Sequence, residues 1–198
     1  HRVDTSLVSV TRKKHTNYSI VLCPAKQDRT ILVYHGASSE LSAKDIPWKK
    51  LQARWFYLAP LSGKLSRLFG PLVNFAKRRK IKIAANPGNT QLRMPHRKLL
   101  PILAKVDILS LNQEEAFILA KKRSVKDALI LKKIRAMTPA IIIMTKGPEG
   151  AVCCYDKYIL SAPALKTKVV DRTGAGDAFN AGFVSEYIRS GNIERALQ

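Results

Sequence analysis

The chain has little that would staple it together or hold it in a membrane. Its 198 residues include only three cysteines, Cys23 and the adjacent Cys153 and Cys154. These make neither a metal-ligand spacing nor a disulfide framework. A buried, free role in a reducing compartment, the cytoplasm, is expected. No apolar run approaches the ~20 residues of a membrane span, so no membrane partner is expected. Ten glycines and ten prolines are too few for a disordered or fibrous chain, and a hydrophobic content of 46% points to a globular α/β protein. Neither an initiator Met nor a secretory signal opens the sequence at His1, so a natural start upstream is expected. Internal repeats and linkers are missing, which predicts one domain over 1–198 with an appended hairpin.

Acid is the other scarcity. Fourteen acidic residues face 35 basic ones, a net charge of +21, which raises the expectation of a polyanionic partner such as a nucleotide or nucleic acid. The cations are scattered, however: Arg12-Lys13-Lys14, Lys77-Arg78-Arg79-Lys80, Lys121-Lys122-Arg123 and Lys132-Lys133. Each group sits at a predicted helix end or turn, where cations complement the carbonyl end of the dipole. With no aromatic interleaving, this pattern argues against a nucleic-acid surface.

Along the chain, Tyr18 to Cys23 and Arg29 to Tyr34 alternate in the strand period around the turn-rich residues 24–28, predicting a β-hairpin with one wet side. It reads equally as a sheet edge or as a flap over a site. A short helical piece comes next at 41–46, then a buried strand from Arg54 to Ala59. Leu65 to Arg79 is an amphipathic helix with Leu65, Leu68, Phe69, Leu72, Val73 and Ala76 on one face. Strands are expected over 81–85, 106–111 and 140–144, and helices over 98–104, from Asn112-Gln113-Glu114-Glu115, and over 125–137. A second hairpin, 151–155 with 158–161, leads into a strand over 166–170. Strands alternating with helices predict βαβ units and a mainly parallel sheet.

The segment Val169 to Phe179 organises the rest. It reads as a strand end, a turn and a glycine-rich start to a helix reaching about Arg189. Gly174 and Gly176 let the backbone approach a ligand, and the first helical amides favour an anion, typically a phosphate. Asp177 in the same turn makes sense if the site also removes a proton beside a phosphoryl group.

In open α/β sheets ligands bind beyond the carboxyl ends of the strands. The turns at those ends are Asn86-Pro87-Gly88, Asn112 to Glu115, Thr145-Lys146-Gly147, and Asp171 to Asp177. Parallel strands would bring all four to one rim. Asn112 with Glu115 also reads as a helix capping box, and Gly147 and Gly150 as plain turn glycines. The 171–177 segment is neither a Walker A loop nor a dinucleotide fingerprint.

Asp171-Arg172-Thr173-Gly174-Ala175-Gly176-Asp177-Ala178-Phe179 resembles the second signature of the PfkB, or ribokinase-like, carbohydrate kinases. The other pieces agree in order: the hairpin ending Arg29-Thr30-Ile31-Leu32, Gly36-Ala37, Asn112-x-x-Glu115, and Thr145-x-Gly147-x-x-Gly150. The resemblance covers essentially the whole chain. It implies a three-layer α/β/α fold of the ribokinase type with a mainly parallel sheet and a β-hairpin lid at about 16–36. It also implies an ATP-dependent carbohydrate kinase, a transferase whose acceptor is a sugar or a nucleoside. Asp177 would be the general base, and Gly174, Ala175 and Gly176 the anion hole. Asn112 and Glu115 would manage Mg²⁺ and the nucleotide phosphates. Thr145, Gly147 and Gly150 would form the nucleotide turn. Asp171 and Thr173 match positions that help hold a monovalent cation, K⁺, in many members. The lid implies a second copy of the chain as partner. Arg172 stands where the family usually has Thr. The family's first signature and its last segments are missing, so these 198 residues alone are expected to be inactive or feeble.

Overall fold

A computed structural model of the chain describes residues 3–22, 30–124, 126–169 and 171–198. Cys23, the turn 24–28, Arg29, Val125 and Val170 lie outside them, with the readings that fall there. The first strands, β1 (Tyr18–Leu22) and β2 (Thr30–Tyr34), pair antiparallel with Tyr18 opposite Tyr34 and Ile20 opposite Leu32. The main sheet has β3 (Trp55–Leu58), β4 (Lys82–Ala85), β5 (Ile108–Asn112), β6 (Ile141–Thr145), β7 (Ala151–Tyr155) and β8 (Tyr158–Ala162), ordered as they occur in the chain. Strands β3 to β6 are parallel; β7 pairs antiparallel with β6, and β8 antiparallel with β7, so that β8 again runs with the first four. The helices are α1 (Phe69–Arg78), α2 (Asn89–Leu92), α3 (His96–Leu103), α4 (Gln113–Ala120), α5 (Asp127–Arg135), α6 (Ala175–Ser190) and α7 (Ile193–Leu197).

This order dictates the layers. Crossovers between parallel strands are right-handed, and when each new strand adds on the same side, every crossover helix falls on the same face. One core accordingly joins Val73 of α1, Leu99 and Leu103 of α3, Leu119 of α4 and Ile130 and Ile134 of α5 to Ile83, Leu109, Leu111, Ile142 and Met144 of the sheet. The other face is covered by the two helices that come after β8. Phe183 and Val184 of α6 and Ala196 and Leu197 of α7 pack there on Ala84, Ile108, Ile143 and Cys153. The alternation of the strands is strict: Ile108 and Ser110 face α6, Leu109 and Leu111 the opposite layer. Cys153 and Cys154 likewise point to opposite cores, both free. Burial pushes the Cys153 thiol up to about 12.

Several expectations need correction. The helix expected from Leu65 splits into a 3₁₀ turn, Gly63–Leu68, and α1. Pro71 explains the break, since proline fits the first α-turn, whose amides lack intrahelical partners, and not a helix interior. The strand Trp55–Leu58 is half-exposed because it lies at the sheet edge, with Tyr57 43% exposed. Residues 163–169 form no strand; Pro163 comes directly after β8, and Leu165 and Val169 stay in solvent. The short α2 was not anticipated. In the first hairpin both faces are exposed, not one. Among the described residues no helix is long and apolar enough to cross a membrane.

Leu109, the second residue of β5 and wholly buried, tests the main core. Leu109→Ala should lower unfolding stability by about 2–5 kcal/mol, read as a drop in the denaturation midpoint with an unchanged urea m-value.

Candidate active site

Strand parity sets one row of side chains toward α6. Tyr57 pairs in register with Ala84, Ser110 with Ile143, and Asn112 with Thr145. Asn86 comes just after β4 with the same parity and donates from Nδ2 to the Ser110 carbonyl at 3.0 Å. Tyr57, Asn86, Ser110, Asn112 and Thr145 therefore share the α6 side of the sheet near its carboxyl rim, where α6 begins.

The start of α6 is built by Gly174, its N-cap, at φ 78°. That left-handed conformation penalises any side chain. The Ala175 amide donates to the Arg172 carbonyl at 3.2 Å and the Ala178 amide to the Gly174 carbonyl at 2.9 Å. Among the described residues the amides of Gly176 and Asp177 meet no protein acceptor, and the whole turn is exposed. Amides without an acceptor at the positive end of a helix favour an anion, and α6 runs for 16 residues. The Ala175 amide is used by the Arg172 carbonyl, which leaves those of Gly176 and Asp177, with Gly174 shaping the turn.

Facing this turn is a cavity of about 310 Å³ lined by Thr145, Gly147, Gly150, Ala175, Gly176 and Phe179, among others. Its size is at the small end of ligand pockets. Gly150 is constrained twice: its φ is 90°, and a Cβ there would lie 2.1 Å from the Ala162 carbonyl oxygen. The backbone of 147–150 is thus held against the residues after β8, which closes one side of the cavity.

Asn112 and Glu115 form the capping box. Asn112 Oδ1 accepts from the Glu115 amide at 2.9 Å, and Glu115 Oε2 accepts from the Asn112 amide at 2.8 Å. Burial raises the Glu115 carboxyl above its usual range, partly offset by the Asn112 amide and the Asn86 side chain. The Tyr57 hydroxyl is raised too, first by burial and then by the charges of Asp177 and Glu115, with the Asn180 side chain acting the other way. Tyr57 thus feels both carboxylates that the sequence singles out. Asn180 and Ser110 are themselves buried, and Ser110 Oγ donates to Asn180 Oδ1.

Asp171 and Thr173 stand apart from the cavity. Asp171 Oδ1 accepts from the Thr173 amide at 2.8 Å and from its hydroxyl at 2.9 Å, a turn that shapes the approach to α6. Among the described residues no group of three or more His, Cys, Asp or Glu side chains could hold a metal. Magnesium, however, usually keeps several waters and takes one or two carboxylates plus phosphate oxygens. Glu115, with one oxygen committed to the helix cap, fits an ion held through water and phosphate and does not fit a direct protein cage.

Tyr57, Ser110 and Asn180 escape a reading of the sequence by motif. The available signals were a serine inside the apolar run Val106 to Leu111, and an asparagine three residues beyond Asp177 on a helix.

Residues 1–198 match the family described as pfkB family carbohydrate kinase. The chain is 27% identical over 194 residues to a cytidine kinase of Thermococcus kodakarensis, covering 90% of this chain and 68% of that protein. It is 24% identical over 200 residues to a nucleoside kinase of Methanothermobacter thermautotrophicus, covering 97% and 60%. Among solved structures, ribokinase from Thermotoga maritima superposes with a TM-score of 0.74 at 22% identity, covering 93% of this chain and 60% of that one. Arabidopsis thaliana ribokinase, complexed with ribose and ATP, gives 0.75 at 19%, again covering 93% and 60%. The chain thus spans only 60–68% of the length of these relatives. With the match to the family running from end to end and the fold agreeing, the chain belongs to the pfkB family of carbohydrate kinases and has the ribokinase fold.

Proposed function

We propose that the protein containing this chain is an ATP-dependent phosphotransferase that moves the γ-phosphoryl group to a hydroxyl of a sugar or sugar-like substrate. The observation that carries this reading is the pair of unpaired amides, Gly176 and Asp177, at the start of α6, beside a cavity walled by Thr145, Gly147 and Gly150. Phosphoryl transfer needs positioning and charge stabilisation more than covalent help from the protein. The amides meet the negative charge of the transferred group. The Asp177 carboxylate, in the same turn, takes the proton of the attacking hydroxyl. Thr145 and the 147–150 turn hold the nucleotide. Glu115 with Asn112 would hold Mg²⁺ through its waters, and the ion would neutralise phosphate charge. Asp171 and Thr173 would offer oxygens to a K⁺ ion.

The names of the first two relatives, a cytidine kinase and a nucleoside kinase, favour a second acceptor: the ribose hydroxyl of a nucleoside, for which the same machinery serves. Turnover of ATP by the complete protein against ribose, ketohexoses and nucleosides separates the two. We take residues 1–198 as a single kinase domain with the hairpin at about 16–36 as its lid, in a cytoplasmic enzyme. Ile20, Leu22 and Leu32 of the hairpin are each about half exposed, and this apolar face is where a second copy would pair. Leu32→Lys should then shift a dimer to monomer in sedimentation; an unchanged dimer would place the interface elsewhere.

Asp177→Asn in the complete protein should lower the rate of transfer by roughly 10²–10⁴-fold while nucleotide binding survives. Undiminished transfer would remove Asp177 as base; a wild-type protein that transfers to no acceptor would favour a non-catalytic, basic nucleotide- or nucleic-acid-binding protein on this fold.

Glu115 gives a test with a pH signature. Its carboxyl is raised on folding, so ionised Glu115 opposes the folded state, and stability is lost as pH rises through its ionisation. Glutamine keeps the capping acceptor without the charge. Glu115→Gln should therefore match or exceed the wild-type melting temperature at neutral pH, with the difference closing toward about pH 4, where a carboxyl takes up its proton. Transfer should nonetheless fall by roughly 10- to 100-fold and need more Mg²⁺. A variant that is less stable but fully active would leave Glu115 a helix cap alone.

A further inference from the structure

Asn180 is a polar side chain on the face of α6 that otherwise carries Phe183 and Val184, and it is only 5% exposed. A buried amide is costly unless its donors and acceptors are met, and here the carbonyl oxygen is met from β5. Ser110 Oγ, itself in a residue 3% exposed, donates to Asn180 Oδ1. Asn86 Nδ2 donates to the Ser110 carbonyl, so the end of β4, β5 and α6 are joined in one polar frame. We infer that Asn180, clamped to Ser110, is a positioning residue that sets where Asp177 and the α6 amides stand over the strand ends. The catalytic part of this inference rests on the kinase reading above.

The geometry explains why a polar clamp is used. Apolar packing of Phe183 and Val184 seats α6 on the sheet, but such contacts are non-directional and tolerate sliding of the helix along its axis. A hydrogen bond has a narrow distance and angle, so it fixes that coordinate. Asn180 lies three residues beyond Asp177, on the same side of the helix. Helical side chains lean toward the amino terminus, so the clamp acts close to the turn it would control. Ser110 lies two residues before Asn112 on the same strand face, so one bond refers the helix start to the nucleotide end of β5. A displacement of about 1 Å in a reacting group can cost on the order of 100-fold in rate.

The decisive variant removes the polarity and keeps the packing. In the complete protein, Ser110→Ala combined with Asn180→Leu should fold at least as stably as wild type, because neither polar atom of that pair is left unpaired. Its kcat should nevertheless fall on the order of 100-fold, with nucleotide KM changed by less than about threefold. Asn180→Ala and Ser110→Ala alone should each lower kcat, and their combination should be no worse than the worse single, as expected of two groups sharing one bond. Hydrogen exchange of the hydrogen-bonded amides of Ala178 and Phe179 should speed up roughly tenfold in the stable double variant. A double variant with wild-type kcat, or with unchanged exchange at 178–179, overturns the inference. Should the wild-type protein phosphorylate no acceptor while exchange at 178–179 still accelerates, the clamp stands and the kinase reading falls.

Discussion

The placement of everything functional depends on α6 having to cover a bare face of the sheet. Successive right-handed crossovers from β3 to β6 put α1 to α5 on one side, and nothing in that half of the chain shields Ala84, Ile108, Ile143 and Cys153. Leaving those side chains in water would forfeit about 25 cal/mol for each Å² of apolar surface. Phe183 and Val184 of α6 meet that demand. A helix seated there, and entered from the rim after β8, must begin near the carboxyl ends of the strands. The anion-binding end of the helix and the strand-end turns are therefore brought together by a packing requirement. The polar row from Tyr57 to Thr145 is then the part of the α6-facing side that the helix start does not need for packing, and so is available for chemistry.

The rim combines groups that would not coexist in water without cost. Glu115 is half-buried, with its carboxyl raised by desolvation, yet its amide contacts are those of an ordinary helix cap. One residue serves as cap and candidate metal manager because the strand end that starts α4 lies at the same carboxyl rim, with Asn112 paired in register with Thr145 of the cavity wall. Tyr57 feels both acids: its hydroxyl is raised by burial and by the charges of Asp177 and Glu115. The rim thus carries acid side chains and exposed helix-start amides side by side, the acids suited to a cation and the amides to an anion.

Much of this was legible in the sequence because it depends on local periodicity. Val106 to Leu111, Ala140 to Met144 and Ala151 to Tyr155 read as strands, and the helix after Gly174 is where its glycine-rich start puts it. The capping box at Asn112 was readable from four residues. Readings that required a partner from elsewhere fared worse. The β-branched residues near 169 read as a strand, but 163–169 lies against no strand, and Pro163 ends the pairing of β8. Leu65 to Arg79 has an unbroken apolar face, yet the α-geometry starts only at Phe69, two residues before Pro71. The Asn86–Ser110–Asn180 frame spans positions 86 to 180, and its buried members, Ser110 and Asn180, taken singly are unremarked polar residues in apolar elements. The site's glycines and acids announce themselves by motif; the residues that hold them in place do not.

The charge of +21 must be separated from the anion site. The clusters Lys77-Arg78 and Lys132-Lys133-Arg135 occupy the last turns of α1 and α5, where they complement the helix dipoles. Both helices return antiparallel to the strands, so these cations lie at the amino-terminal edge of the sheet, opposite Asp177. A five-residue strand is about 16 Å long, roughly two Debye lengths at physiological ionic strength. Screening over that distance leaves their field at the α6 turn weak. Those helix-end cations are thus a property of the far rim and add little to the field at the α6 turn, where the amides of Gly176 and Asp177 lie exposed.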